Sequence, residues 1–319
     1  MQSLTVNESN SNLKIEKYIQ VKYPGLSYST LQKAFRKKDI KVNGRRVGRD
    51  YIVLPGDKLE IYIADEMLAG LAGLENGTEA KHRKSFTIIY EDDNILLVNK
   101  EPGISVQPDR VKSQQTLIEH VREYLRKEKG YQNSSNFQPA LCHRLDRNTG
   151  GLLIFAKKQS SLNFMLEKLE NREIRKYYQC LVAGRMEKSE AQLKAYLWKD
   201  ASKSRVFVSD NKTTGSQIIV TNYKVIEYHP NIDISHLEVE LVTGRTHQIR
   251  AHLAYIGHPV IGDGKYGANA INRSFGLKHQ ALWACRLHFA FTESSPMMNY
   301  LNGKMFCVDP GFNIYLSQK

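Results

Sequence analysis

The 319-residue sequence predicts an α+β protein: a mixed, largely antiparallel central sheet with flanking helices, plus a small N-terminal α/β domain. Three observations predict it. Residues 218–228 and 234–242 alternate at period two, the pattern of half-buried antiparallel strands. Helical spacing recurs at 117–125 and 161–170, but not in regular alternation with strands as a doubly wound sheet requires. The first 64 residues combine a basic helix with a hairpin, and a glycine-rich stretch separates them from the rest.

Residues 29–38 read as a helix with Ser29 as N-cap and Leu31, Ala34 and Phe35 at core spacing. Residues 40–42 alternate as a short strand, and Asn43-Gly44 is a tight-turn signal. A second strand, 58–63, follows the turn Pro55-Gly56-Asp57. The chain carries 46 Lys+Arg against 33 Asp+Glu, a net charge of +13, and +6 of it falls in residues 1–64. Lys33, Arg36, Lys37, Lys38, Lys41, Arg45, Arg46 and Arg49 supply that cluster, opposed by Asp39 alone. A charge run by itself is usually a solvated face. Joined to a hairpin at this spacing, it indicates a polyanionic partner and RNA binding.

Residues 65–85 read as a linker, because glycine at this density weakens a helix. No stretch approaches the roughly 18 apolar residues of a membrane helix. Residues 1–10 show neither a basic region nor an apolar one, so no secretory signal is expected. Cys142, Cys180, Cys285 and Cys307 lie far apart without C-x-x-C pairs. They suggest reduced thiols, no zinc site, and a cytoplasmic protein without membrane attachment.

The large domain, 86–319, opens with apolar strands at 86–90 and 95–99 around the turn Glu91-Asp92-Asp93-Asn94. Thr116-x-x-Glu119 is a capping box, opening a helix to about residue 129 with Leu117, Ile118, Val121 and Leu125 on one face. Residues 151–157 read as a buried strand. Residues 161–170 follow as a helix with Leu162, Met165, Leu166 and Leu169 toward the core. Thr246 is expected to cap a helix that stops at Gly257, with Ile249, Leu253 and Ile256 as its core stripe.

Three polar clusters interrupt this core. The first is Cys142-His143-Arg144-Leu145-Asp146-Arg147-Asn148-Thr149-Gly150-Gly151, whose glycines permit a tight reversal beside the strand that follows. On its own, Asp146 between two arginines reads equally as a surface ion pair. The second, Arg175-Lys176-Tyr177-Tyr178, reads on its own as ordinary tyrosine packing ahead of a strand at 179–182. The third is Thr243-Gly244-Arg245-Thr246-His247-Gln248-Ile249-Arg250, with Gly257-His258-Pro259 and Gly262-Asp263-Gly264-Lys265-Tyr266-Gly267 beyond. Arg250 sits at the edge of a core stripe and needs a partner, since an unpaired buried guanidinium is very costly. His143, His247, His252 and His258 lack an accompanying acidic or cysteine ligand pattern, so no metal is expected there. Lys194, Lys199, Lys203, Arg205 and Lys212 mark either a second RNA contact surface or a solvated hairpin, the latter preferred.

Two resemblances follow from these residues. Residues 12–63 resemble the alpha-L RNA-binding motif through Leu26-Ser27-Tyr28-Ser29, Lys41-Val42-Asn43-Gly44-Arg45-Arg46-Val47 and Pro55-Gly56-Asp57. Tyr28 stands where that motif usually has Arg. Residues 86–317 resemble the RluA family of pseudouridine synthases. The matching motifs are Tyr90-Glu91-Asp92-Asp93 with Val98-Asn99-Lys100, His143-Arg144-Leu145-Asp146 with Thr149, Lys176-x-Tyr178, Thr243 through Arg250, and Gly262-Asp263 with Tyr266-Gly267. Gly150 replaces a usual Ser, Glu101 a usual Pro and Gln107 the commoner His.

The resemblance implies the pseudouridine synthase fold and conversion of uridine to pseudouridine within RNA, without cofactor or metal. It implies Asp146 as catalytic carboxylate, Tyr178 packing on the base, Arg250 pairing with Asp146, and Arg144 filling the space of a flipped uridine. His143, Arg245 and His247 are expected to face RNA near the site, and Lys33, Arg36, Lys37, Lys38, Arg45 and Arg46 to grip it from the N-terminal domain. The expected partner is large-subunit ribosomal RNA or its precursor, bound by a monomer. A transfer-RNA substrate, and a non-catalytic RNA-binding or ribosome-assembly role, stay open at this point.

Overall fold

A computed structural model describes residues 2–6, 13–23, 26, 28–63, 85–108, 115–128, 137–200, 205–267, 269–292 and 296–312. The expected linker therefore lies outside the described residues, apart from Ser85, as does Lys203. The chain divides into two compact units, residues 1–82 and 83–319.

The N-terminal unit contains β1 (Gln2–Thr5), α1 (Ile15–Lys22), α2 (Tyr28–Lys37), β2 (Ile40–Val42), β3 (Arg45–Arg46) and β4 (Lys58–Ile61). Its sheet order is β1-β4-β2-β3, antiparallel throughout. Ile15, Tyr18, Leu31, Ile40, Leu59 and Ile61 are fully or almost fully buried and fasten both helices to the sheet. Asn43 and Gly44 both adopt positive φ, 50° and 75°, the geometry of the tight hairpin turn that Asn-Gly favours. Asp57 anchors the next turn by accepting hydrogen bonds from Leu54 N–H, Asn43 Nδ2 and Tyr51 Oη. α2 starts one residue earlier than expected. The helix already includes Tyr28, so Ser29 falls in its first turn.

The second unit is built on an 11-stranded sheet. Its strands are β5 (Phe86–Glu91), β6 (Ile95–Lys100), β7 (Ala140–Leu141), β8 (Gly150–Ala156), β9 (Ile174–Ala183), β10 (Glu190–Asp200), β11 (Arg205–Ser209), β12 (Gln217–His229), β13 (Ile234–Leu241), β14 (Leu282–Phe289) and β15 (Met305–Cys307). The order is β11-β10-β12-β13-β9-β14-β8-β6-β5, with β15 on β14 and β7 on β8. Among the described strands only β8 and β14 run parallel. The mixed, largely antiparallel sheet is thus as predicted.

Helices α3 (Leu117–Glu128), α4 (Gln159–Glu170), α5 (Gln248–Tyr255) and α6 (Asn269–Phe275) complete the unit. β6 and β8 are buried on both faces, and alternation splits their side chains between two cores. Leu96, Val98, Leu153 and Phe155 join Leu117, Val121 and Leu125 of α3. Ile95, Leu97, Leu152 and Ile154 join Met165 of α4. Glu119 accepts from Thr116 N–H at 2.7 Å and from Thr116 Oγ1 at 2.9 Å, the back-bond of a capping box.

Two local expectations are corrected. Leu166 is 45% exposed, because Ser161, Met165 and Lys168 define the buried stripe and Leu166 sits 100° around the helix from Met165. Thr246 does not cap α5. His247 occupies that position with φ 53°, a left-handed conformation, and the helix starts at Gln248.

Candidate active site

A cavity of about 260 Å3 opens where four segments of the second unit meet. These are the loop before β8, the middle of β9, the end of β13 with the loop into α5, and the start of β14. Its floor belongs to the main core: Leu145, Tyr178, Ile249 and Leu282 line it and are buried. A neighbouring cleft of about 700 Å3 shares Arg144, Asp146, His247 and Arg250 with it.

Asp146 is brought to the cavity by a heavily fastened loop. Thr149 N–H donates to Asp146 O at 3.1 Å, and Gln280 Nε2 donates to Thr149 Oγ1 at 2.7 Å. Gly103 N–H donates to Arg147 O at 2.9 Å. Lys100 is fully buried, and its Nζ donates to the carbonyls of Glu101, Ile104 and Arg147 at 2.9, 3.1 and 3.0 Å. Burial lowers the Lys100 pKa to about 7, with Asp146 and Glu101 opposing that shift.

The two glycines behind this loop are required by close contact. A Cβ on Gly150 would lie 2.4 Å from the Trp283 ring, and one on Gly151, at φ +116°, would lie 2.3 Å from Ala284 O. Trp283 occupies the space a serine side chain at 150 would need. Glu101, in place of the family's usual proline, donates its N–H to Ser85 O at 3.1 Å, a bond proline cannot make.

Arg250 Nη1 donates to Asp146 Oδ2 at 2.8 Å. Its Nε and Nη2 donate to Asp263 Oδ2 and Oδ1 at 2.7 and 2.9 Å, a bidentate pair. Asp263 is fully buried and also accepts from the N–H groups of Lys265 and Tyr266. Burial raises the Asp263 pKa, but its bonds to Arg250 outweigh that and hold it below the usual carboxylate range. Burial likewise works against the Arg250 charge, and Asp263 and Asp146 together more than offset it. Tyr266 covers the assembly, with the Arg250 guanidinium carbon 5.2 Å from its ring centroid.

Tyr178 is 5% exposed in β9, between Val239 of β13 and Ala284 of β14. Burial, and then the Asp146 charge, push its phenol pKa well up, so it stays protonated at neutral pH. Gln248 holds the loop entering α5: its Oε1 accepts from Thr243 Oγ1 and Arg245 N–H, while Nε2 donates to Val220 O.

The structure therefore brings Asp146, Tyr178, Arg250, Arg144, His143, Arg245 and His247 to one cavity. Arg144 and Arg245 are exposed. His143 and His247 are turned inward and half-buried. Burial, with Lys176 nearby, lowers the His143 pKa to about 3, and its Nε2 accepts from Ile154 N–H at 3.3 Å. His247 is held neutral mainly by burial, and its Nδ1 lies 2.9 Å from Tyr266 Oη. His252 and His258 are satisfied by Thr221 Oγ1 and Ala183 O. Among the described residues no group of three His, Cys, Asp or Glu side chains is arranged to hold a metal ion. Lys33, Arg36, Lys37, Lys38, Arg45 and Arg46 are all exposed and belong to the N-terminal unit.

Sequence reasoning missed Asp263 as a partner of Arg250, and Gln248, Lys100 and Tyr266 as supports. Each lies inside a quoted motif, but nothing in its spacing said what it touches.

Comparison with known proteins identifies the family. The pattern of the RNA pseudouridylate synthase family matches residues 94–255. An uncharacterized RNA pseudouridine synthase of Mycoplasma pneumoniae is 31% identical over 290 residues, 89% of this chain and 87% of that protein. The ribosomal large subunit pseudouridine synthase C of Vibrio vulnificus is 30% identical, covering 93% of this chain and 91% of that protein. The structure of human RNA pseudouridylate synthase domain containing 4 shares the fold, with a TM-score of 0.56 at 20% identity, covering 72% of this chain and 91% of that one. The chain belongs to the RNA pseudouridylate synthase family, and is an RNA-modifying isomerase.

Proposed function

We propose that this chain converts specific uridines of large-subunit ribosomal RNA to pseudouridine in the cytoplasm, acting as a monomer. The observation that carries the site assignment is the 2.8 Å contact between Asp146 and Arg250, at a cavity walled by Tyr178. Asp146 is 22% exposed, so an ionised carboxylate is reachable yet held in direction by a guanidinium clamped from behind. Detaching uracil leaves an electron-poor sugar. An anion beside it can bond to C1′ or remove the 2′ proton.

Tyr178 packs against the base in this reading, and its protonation keeps a second anion away from Asp146. The base must leave its stack to reach Asp146, and Arg144, exposed at the rim, fills the space it vacates. The isomerisation is redox-neutral and moves no phosphate, so it needs neither cofactor nor metal. The basic face of the N-terminal unit supplies salt-dependent affinity for the RNA backbone.

The ribosomal substrate is favoured by relatives named as ribosomal large subunit pseudouridine synthases. Mapping pseudouridine in all RNA from cells with and without the gene tests it. Loss of sites in large-subunit ribosomal RNA is expected. Loss confined to transfer RNA would contradict the assignment, and no loss anywhere would favour a binding role.

A further inference from the structure

One charged group in the cavity has no task in the reaction as described. Lys176 lies two residues before Tyr178 in β9, so strand alternation puts both side chains on one face, and both line the cavity. Lys176 Nζ makes no hydrogen bond or ion pair among the described residues. It stands close to Gly244, 3.5 Å from where a Cβ on that residue would be. Burial lowers its pKa, and no carboxylate opposes the shift. The charge of Asp146 acts on Tyr178, Lys100, His247 and Arg250.

His143 adds a second unused donor. Because Ile154 N–H donates to its Nε2, the neutral ring carries its proton on Nδ1. That buried Nδ1 has no partner. The cavity is thus lined by the Asp146 carboxylate and the Lys176 ammonium together with the apolar side chains of Tyr178, Leu241 and Leu282. A half-buried ammonium without a counter-ion is costly, and such a group is retained where a reaction brings negative charge to it.

We propose that Lys176 is a further catalytic residue: its ammonium, with the His143 Nδ1–H beside it, binds a uracil carbonyl oxygen and stabilises the anion that the detached base becomes. This rests on the uridine isomerisation proposed above. When the N1–C1′ bond breaks, its electron pair leaves with the base. C1′ then bonds to an Asp146 oxygen, or the sugar gives its 2′ proton to that carboxylate. The uracil monoanion spreads its charge over N1, O2 and O4. Lys176 neither gives nor takes a proton and serves as counter-ion. After the ring turns, C5 bonds to C1′, the carbon–oxygen bond breaks or the 2′ proton returns, C5 loses its proton, and N1 gains one. A backbone phosphate is the other anion RNA could offer. The apolar walls favour a base here, while exposed Arg245 at the rim suits a phosphate.

The test measures single-turnover pseudouridine formation and RNA affinity for the full chain, with K176M, K176R and D146N beside the unaltered protein. K176M should slow the single-turnover rate by about 100- to 1000-fold, the usual cost of removing one preorganised donor to a developing oxyanion. Its RNA affinity should stay within about threefold, and its thermal stability should not fall, because an uncompensated charge has been removed. K176R should recover at least about tenfold of the loss, since it restores the charge with altered reach. A K176M rate within about threefold of the unaltered protein would overturn the proposal; so would a loss seen wholly in affinity, which would place a phosphate at Lys176. Should K176M fail to fold, the alkaline fall of the single-turnover rate decides. It should lie at higher pH in K176R, and coincident profiles would contradict the role. Absence of pseudouridine with the unaltered protein would instead remove the reading on which this one rests.

Discussion

Asp263 grips Arg250 through two hydrogen bonds, at 2.7 and 2.9 Å, and so leaves Nη1 as the guanidinium edge that meets Asp146 at 2.8 Å. The residue nearest the proposed chemistry is aimed by one that no substrate touches in this reading.

Asp263→Asn should therefore lower both stability and activity. Breaking a buried charge pair from one side typically costs about 3–5 kcal/mol. Denaturant unfolding should show a loss of that order, and pseudouridine formation should fall even where the variant remains folded. A fully active, equally stable variant would show that Asp146 alone positions Arg250.

Gly150→Ser should destabilise the fold although serine is usual at this position in the family. The added side chain enters the space of the Trp283 ring, and overpacking of this kind costs about 1–3 kcal/mol. Pairing it with Trp283→Leu should give a combined loss smaller than the two single losses added, as coupled neighbours do. Simple additivity in thermal unfolding would contradict the contact.

Much of this arrangement was legible in the sequence. The capping box at Thr116, the Asn43-Gly44 turn and the buried stripe of α3 follow from local chemistry, and local chemistry decides them. Leu166 was misplaced because two stripes compete on α4, and packing chose the one through Ser161 and Lys168. The strand β14 has no flanking turn signal strong enough to announce it, and Arg286 and His288 interrupt its apolar run. Its parallel pairing with β8 joins residues more than a hundred positions apart, which no periodicity encodes. Asp146, Tyr178 and Arg250 were found through motifs. The Asp263 contact depends on the turn at 262–267 folding back beneath α5, so it appears only in three dimensions.

Acid should weaken the second unit through its buried histidines. His252 is 2% exposed, and burial lowers its pKa from 6.5 to about 4. Between those values the unfolded chain binds more protons than the folded one, so stability falls as pH drops from about 6.5 toward 4. One such group contributes a slope of up to about 1.4 kcal/mol per pH unit. His252→Gln can still bond Thr221 but cannot titrate. Urea unfolding across this range should show a shallower slope for that variant, and an unchanged slope would contradict the assignment.

Neutralising Lys37, Arg45 and Arg46 together should weaken RNA capture without altering the chemical step. Each lost phosphate contact reduces the logarithmic salt dependence by roughly 0.7–0.9. Binding titrations at several salt concentrations should show the flatter slope, with an unchanged single-turnover rate at saturating RNA. An unchanged slope would mean that this basic face is merely solvated.

Asp146 is the proposed catalytic carboxylate. The deciding variant is Asp146→Asn, assayed for pseudouridine in ribosomal RNA incubated with the purified protein. Asparagine keeps the size and a carbonyl for Arg250 but removes the anion. RNA binding should stay intact with no pseudouridine formed; undiminished formation would contradict the role of Asp146.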